Sequence, residues 1–538
     1  MDLQVVSGTT HALRDVEEML GLVASLGPRG TTSSSAPRLS STPRLSPTFA
    51  AELRSLFDFD FARPFIVTRS PGRMDVIGGI ADYSGSLVLE MPIAEAVVVV
   101  LQRRADRRIR CASIKDDGGA VATAAYTWEG SLDDLVGSDG APIAYAASHA
   151  LFAGKREWAG YVVGTLLVLM REKGLRLDDG MGGFNILMRS QVPVGKGVSS
   201  SAAIEVATMN ALLEECVASG CTMAAGSTGA GVVDGVQVAV LCQMAENHVC
   251  GAPCGLMDQM TVSMGKKDEL LALLCQPDTL LGTIAIPLHI KFWAIDCGVR
   301  HALSHNGEKP GADYGSVRTG AFMGKTMLGV SRDAYLVDVA PSTLMALDAQ
   351  SKSAAQPGAT HLPAAVRGAA FAAAHGDHGD TVTAVAPRTT YAIDAPTAHP
   401  IGEHFRVRLF RSLLAAKPSA EQLELLGELM YQAHSSYSLC GIGSDGTDAL
   451  VQLVKDRAAE GGNSSGLYGA KITGGGSGGS VCVLGTNTAQ AEASVRAIAA
   501  EYKRRTGLEP YIFAGSSLGA DQFGRLKVRF GGAASSRL

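Results

Sequence analysis

Basic clusters, long apolar runs and a secretory leader are what this sequence lacks. No block of lysine and arginine interleaved with aromatics occurs, and the formal charge of −5 is small for 538 residues, which argues against a nucleic-acid partner. The longest apolar runs, Met91 to Leu101 and Tyr161 to Met170, are too short to cross a bilayer, and the first contains Glu95. No membrane partner is expected. The start of the chain carries Asp2, Asp15, Glu17 and Glu18 instead of a basic-then-apolar pattern, so the expected location is cytoplasmic. Ten cysteines without such a leader read as reduced thiols. Charged residues make up only 18% against 46% hydrophobic, a balance that gives a globular chain long enough for two or more domains.

Glycine, in contrast, is abundant and concentrated. The stretch Pro193-Val-Gly-Lys-Gly-Val-Ser-Ser-Ser-Ala-Ala-Ile-Glu205 follows the alternating run Gly183 to Ser190 and opens a pattern in which Ala202, Val206, Met209 and Leu213 share a helix face. It reads as a strand, a glycine loop and a helix start. Gly195 and Gly197 let the backbone approach a ligand, while Ser199, Ser200 and Ser201 offer an N-cap and hydroxyls beside the unpaired N–H groups of a first helical turn. Such a terminus attracts anions. No Lys-Ser or Lys-Thr follows the glycines at the P-loop distance, so the phosphate site is of another kind.

Three further stretches are richer in polar residues and glycine than a core requires. Ser70-Pro-Gly-Arg-Met-Asp-Val-Ile-Gly-Gly-Ile-Ala-Asp-Tyr-Ser-Gly85 reads as a strand ending in a turn that presents Arg73, Asp75 and Asp82. Glu246 to Gln259 reads as a helix passing into a small-residue loop bearing an acid, and Gly469 to Gly479 precedes the strand Ser480 to Leu484. His248, Cys250 and Cys254 have metal-like spacing but lack a nearby fourth ligand for a structural zinc. Residues 27–47 have the composition of a disordered linker, within an extension spanning residues 1–60 whose first 26 residues read as one short helix. The Ala/Gly/His-rich stretch 351–380 reads as a surface insertion whose His375, Asp377, His378 and Asp380 form a solvated loop.

In their order and wording these stretches resemble the galactokinase branch of the GHMP kinases, and within it the kinase portion of the plant L-arabinokinases. The phrases that carry the resemblance are Gly78-Gly-Ile-Ala-Asp-Tyr-Ser-Gly-Ser-Leu-Val-Leu89, Gly197-Val-Ser-Ser-Ser-Ala-Ala203, Gly251-Ala-Pro-Cys-Gly-Leu-Met-Asp-Gln259 and Cys440-Gly-Ile-Gly-Ser-Asp-Gly-Thr447. The resemblance covers roughly residues 60–530. It implies a two-domain α+β fold with the active site in the interdomain cleft, an ATP-binding N-terminal domain over 61–288 and a C-terminal domain over 289–530.

It also implies a sugar-1-kinase using ATP and Mg²⁺. Asp258 falls on the family's catalytic carboxylate and Arg73 on the arginine that pairs with it; Glu246, with Ser200 or Ser201, falls on the magnesium ligands. Pro193, Gly195, Gly197, Val198, Ser199 to Ser201, Ala202, Gly475 and Gly476 fall on the nucleotide-binding motifs, and Asp82 and Tyr314 on sugar contacts. The general galactokinase pattern has Glu and His where this chain has Gly79 and Ile80. That departure suggests an apolar recess for L-arabinose, which lacks the exocyclic hydroxymethyl of D-galactose. The alternatives are a galactokinase, another anomeric sugar kinase, or a non-catalytic sensor of sugar and ATP; an intact Arg73, Glu246 and Asp258 argues against the sensor.

Overall fold

The computed structural model describes residues 2–27, 44–115, 121–122, 125–154, 157–176, 182–219, 221, 233–299, 313–352, 362–461 and 464–531. Its largest element is a nine-stranded sheet in which Asp2–Ser7, Leu526–Gly531, Phe65–Ile77, Leu87–Arg103, Phe184–Ser190, Arg108–Lys115 and Ala125–Ser131 lie side by side. Glu269–Leu274 pairs with the early part of Leu87–Arg103 and carries Thr279–Ala285 at its other edge. Among the described residues, the one parallel pair in this sheet joins Arg108–Lys115 to Phe184–Ser190. A second sheet of four antiparallel strands runs Leu467–Thr473, Ser480–Thr486, Ile290–Asp296, Ile512–Ala514.

The chain passes from the first sheet to the second between Ala285 and Ile290, so the division near Leu288 falls in a turn. It then returns: Leu526–Gly531 pairs with Phe65–Ile77 in the first sheet. One apolar core spans both sheets, joining Met74, Leu89 and Val97 to Phe292, Leu484 and Phe513, and to Phe410 and Met430 of the helices Asp394–Leu414 and Ala420–Leu439.

The helix Ser200–Ala218 packs against the strands Phe65–Ile77 and Leu87–Arg103 and is buried almost all round. Its sequence from Ala202 to Leu213 is apolar on nearly every face, and such a helix belongs inside.

Three expectations change. The Ser-Pro-Gly of the first motif reads as a turn, yet the strand Phe65–Ile77 runs straight through it, fully buried. Register shifts at Pro71/Arg73 and at Asp75/Ile77 absorb the irregularity as bulges, which re-aim the side chains between them. Second, the amino-terminal segment is no loose extension. Asp2–Ser7 pairs with Leu526–Gly531, and helix Arg14–Leu26 buries Val16, Met19 and Val23 against the outer face of the first sheet. Arg69 and Arg189 reach Asp15 and Glu18 of that helix at 2.7 Å in buried ion pairs. Most of the expected linker, residues 28–43, lies outside the described residues. Third, the later part of the expected insertion is structured. Ala365–Arg367 pairs with Thr390–Ala392, helix Gly368–His375 follows, and His378 is buried. The side chain of Asp380 is only 3% exposed, because it pairs with Arg318. Residues 353–361 lie outside the described residues.

Candidate active site

The bulge after Pro71 turns Arg73 inward, where its guanidinium meets a carboxylate in the wall of a cavity of about 500 Å³. Arg73 Nε donates to Asp258 Oδ1 at 2.8 Å, and Nη2 lies 2.6 Å from the same oxygen. Arg73 Nη1 donates to the Gly197 carbonyl at 2.6 Å, and the Arg73 amide donates to the Val198 carbonyl at 3.1 Å. The first and second motifs are thus stitched together by one residue. The Arg73 side chain is 2% exposed and that of Asp258 20%, so the carboxylate is the member that faces the cavity. Behind the arginine, Glu90 Oε2 lies 3.5 Å from Nε with both its oxygens otherwise unpartnered. Burial and the neighbouring Asp75 hold Glu90 well above the usual carboxylate range.

Gly195, Gly197, Val198, Ser199, Ser200 and Ser201 form one wall, with Gly475 opposite. Gly197 has φ +71°, and a side chain there would meet the Thr473 carbonyl at 2.8 Å. The glycine is therefore required by the close approach of the third motif. Ser199 precedes the helix in a left-handed backbone, φ 59°, and its hydroxyl makes no cap and has no partner in the protein. An anion at this helix start would meet unpaired N–H groups and the unpartnered Ser199 hydroxyl together.

Glu246 stands where the helix Gly235–Met244 widens into a π-helical turn over Ala245–Cys250, the kind of distortion that often marks a site. Gln259 Nε2 donates to Glu246 at 2.5 Å and to Glu205 at 3.2 Å. Burial first, and the charge of Asp258 second, push Glu246 up to about 7. Burial followed by Glu246 raises Glu205 well above its ordinary value. Among the described residues no group of three or more His, Cys, Asp or Glu is placed to enclose a metal ion. The donors present, one buried carboxylate beside serine hydroxyls at an anion-binding helix start, suit a magnesium ion that shares its shell with phosphate and water.

At the far end, Asp82 and Tyr314 line the cavity with Pro253, Cys254 and Gly255. Asp82 accepts from the Tyr83 amide at 2.9 Å, and burial followed by the nearby Asp258 pushes it up to about 6. Gly255 is pressed against it: an added Cβ would lie 1.9 Å from Asp82 Oδ2.

The sequence-predicted residues are therefore brought together, with exceptions. Pro193, Ala202 and Gly476 do not line the cavity; Ala202 is buried in the core and Gly476 packs against the Ile442 carbonyl. Gly79 and Ile80 do not line it either. Ile80 is fully buried among Tyr314, Tyr437, Ile442 and Ile472, and the space a side chain at Gly79 would need is filled by Tyr437 Oη at 2.0 Å and Asp75 Oδ2 at 2.2 Å. The apolar recess expected there does not exist, because an aromatic residue from helix Ala420–Leu439 occupies it. Sequence reasoning missed Trp158 and Tyr161, which line the cavity beyond the serine loop, and it missed Glu205. Glu205 was detectable as the one acid in the buried stretch Ala202 to Leu213, where a charge needs a reason.

Known protein families match three parts of the chain. The galactokinase galactose-binding signature matches residues 55–103, the GHMP kinase N-terminal domain residues 160–266 and the GHMP kinase C-terminal domain residues 411–504. An L-arabinokinase of Arabidopsis thaliana is 41% identical over 518 residues, covering 88% of this chain but 47% of that protein, so the chain spans about half of its length. A galactokinase of Chloroflexus aggregans is 27% identical over 459 residues, covering 84% of this chain and 91% of that one. In fold, the Lactococcus lactis galactokinase solved with galactose superposes with a TM-score of 0.61 at 18% identity, over 88% of this chain and 97% of its own. With the galactokinase signature over the strand that carries Arg73, and the two GHMP domains following in order, the chain belongs to the GHMP kinases, in their galactokinase branch.

Proposed function

We propose that this chain is an ATP-dependent sugar kinase that transfers the γ-phosphoryl group to the anomeric hydroxyl of L-arabinose, giving L-arabinose 1-phosphate and ADP. The observation that carries this reading is Asp258, clamped by Arg73 in the wall of one cavity that the serine-rich helix start, Asp82 and Tyr314 also line. Of the two carboxylates that line the cavity there, Asp82 is pushed up to about 6 by burial and then by Asp258, while Asp258 is the one paired directly with an arginine. Asp258 orients the anomeric hydroxyl and accepts its proton as the new P–O bond forms, and Arg73 stabilises charge on the transferring group. The N–H groups and hydroxyls of Ser199 to Ser201 hold the phosphates, and the aromatic wall of Trp158 and Tyr161 suits a nucleotide base. Glu246 with Ser200 or Ser201 would hold Mg²⁺, which supplies charge neutralisation for the phosphates.

The choice of sugar is supported by the likeness to a relative named L-arabinokinase. Its physical support has moved: with Gly79 and Ile80 buried, a pentose is selected by the wall that Cys254 and Gly255 press onto Asp82. The division into an N-terminal and a C-terminal domain near Leu288 and a cytoplasmic location belong to the same reading. The test compares kcat/KM for L-arabinose and D-galactose, with ³¹P NMR locating the phosphate. Equal or higher efficiency with D-galactose removes the arabinose assignment, and phosphate on any hydroxyl but the anomeric one removes the reaction.

A further inference from the structure

A single arginine carries the segment that follows helix Gly368–His375 to the cavity wall. Arg318 lies one turn beyond Tyr314 on the helix Tyr314–Met327, and its side chain is 7% exposed. Nε and Nη2 donate to the two oxygens of Asp380 at 2.8 and 2.7 Å. Nη1 donates to the Cys254 carbonyl at 2.9 Å, with the Pro253 carbonyl at 3.4 Å. Asp380 is itself fixed: it accepts from the amides of Val382 and Thr383 at 3.3 and 3.2 Å and from the Thr383 hydroxyl at 2.7 Å. The guanidinium also stands 5.5 Å over the ring of Tyr83, which packs edge-on against Tyr314.

A two-pronged Arg–carboxylate pair fixes direction as well as distance. Here it fixes a carbonyl of the wall that touches Asp82, because Gly255 leaves no room between that wall and the carboxylate. The contacts Asp380, Arg318, Cys254, Gly255, Asp82 are unbroken from the late segment to the sugar end.

We propose that Arg318 and Asp380 are positioning residues that set the sugar-end wall of the cavity and, through it, the choice of sugar. This rests on the kinase reading above. Neither residue touches substrate; Asp380 holds the guanidinium in the plane from which it braces Cys254, and the Pro253–Gly255 backbone then sets how much room a sugar finds beside Asp82. Cys254 also meets the metal side, where Gln259 Nε2 donates to its Sγ at 3.7 Å, but Arg318 braces its backbone carbonyl and not that thiol, so the effect falls first on the sugar.

Asp380→Asn keeps the shape and removes the charge. The expected result is a rise of about tenfold in KM for the sugar and a narrower preference between L-arabinose and D-galactose, with KM for ATP and kcat changed by no more than about twofold. Asp380→Glu should restore part of the preference. A merely structural role would lower the thermal midpoint and the active fraction, scaling kcat while leaving the sugar KM where it was, and that result overturns the proposal. Should Asp380→Asn not fold, Arg318→Lys, which keeps the charge but loses the fork, must give the same split. If the wild-type chain neither phosphorylates nor is thermally stabilised by any sugar of a panel, the kinase reading and this proposal fall together. If it has a measurable sugar KM that Asp380→Asn leaves untouched, only this proposal falls.

Discussion

Lys471 Nζ lies 2.6 Å from Asp75 Oδ2, and neither side chain has any exposed surface. The pair joins the third motif to the first across the boundary between the two sheets, with Tyr437 Oη 3.3 Å from the same oxygen and 3.1 Å from the Gly474 carbonyl. Asp75 also accepts from the Gly79 amide at 3.2 Å and so shapes the turn that leads to Asp82. Removing one member leaves a charge buried without its partner, which costs about 3–5 kcal/mol. Lys471→Met is therefore expected to lower the denaturation midpoint sharply, and Lys471→Met with Asp75→Asn to recover most of the loss. A double-mutant cycle measures the coupling; additive losses would mean the pair is not an interacting unit.

At the cavity, Asp258→Asn is expected to lower turnover by about 10²-fold or more, as loss of a general base and of a charge beside the reacting group does. Nucleotide affinity should hardly change, because Asp258 belongs to helix Met257–Met264 and is no part of the serine-lined helix start. Calorimetric titration of nucleotide alongside a turnover assay separates the two quantities, and wild-type turnover would move the chemistry elsewhere.

The magnesium requirement should depend on pH in a definite direction. Glu246 ordinarily titrates at 4.5 and is pushed up to about 7 here, by burial and then by Asp258. Between those values the folded chain holds a proton that the unfolded chain has released, so this group's contribution to stability is lost as pH rises through that window. Magnesium needs the carboxylate, so the concentration giving half-maximal activity should fall as pH rises from about 6 to about 8. Glu246→Gln should raise that concentration and flatten its pH dependence. A pH-independent requirement in the wild-type chain would take Glu246 out of the metal's shell.

Gly79→Glu restores the acid of the general galactokinase pattern, yet it is not expected to restore galactose use. Its Cβ would collide with Tyr437 Oη and Asp75 Oδ2, both buried and both committed to other partners. Loss of soluble, folded protein is expected, read by circular dichroism and thermal midpoint. A stable variant with a raised preference for D-galactose would reinstate the apolar recess beside Asp82.

What could be read in the sequence was whatever repeats locally. The alternating run before Ser190 gave a strand, the glycine and serine loop gave a helix start, and the four polar stretches found one another around one cavity. What could not be read is set by contacts between distant positions. Lys471 and Asp75 are 396 residues apart, and nothing near either announces the other. Pro71 hid a strand, because a proline normally excludes one and only bulges on both sides of Arg73 make room for it. Gly79 looked like an open pocket because Tyr437, the residue that fills it, comes from a helix 358 positions later. The alanine-rich composition around residue 370 suggested a solvated loop, while a single buried pair, Arg318 with Asp380, ties the end of that segment to the cavity wall.

The apolar core shared by both sheets gives the molecule a cooperativity that its two-part architecture conceals. Phe292, Leu484 and Phe513 of the smaller sheet are packed in the same interior as Met74 and Val97 of the larger, so unfolding either half exposes part of the other's interior to water. The halves should melt as one transition. A ligand held at either end of the cavity then protects the whole molecule, and the heat stability gained with nucleotide alone should extend to the strands that carry neither phosphate nor sugar.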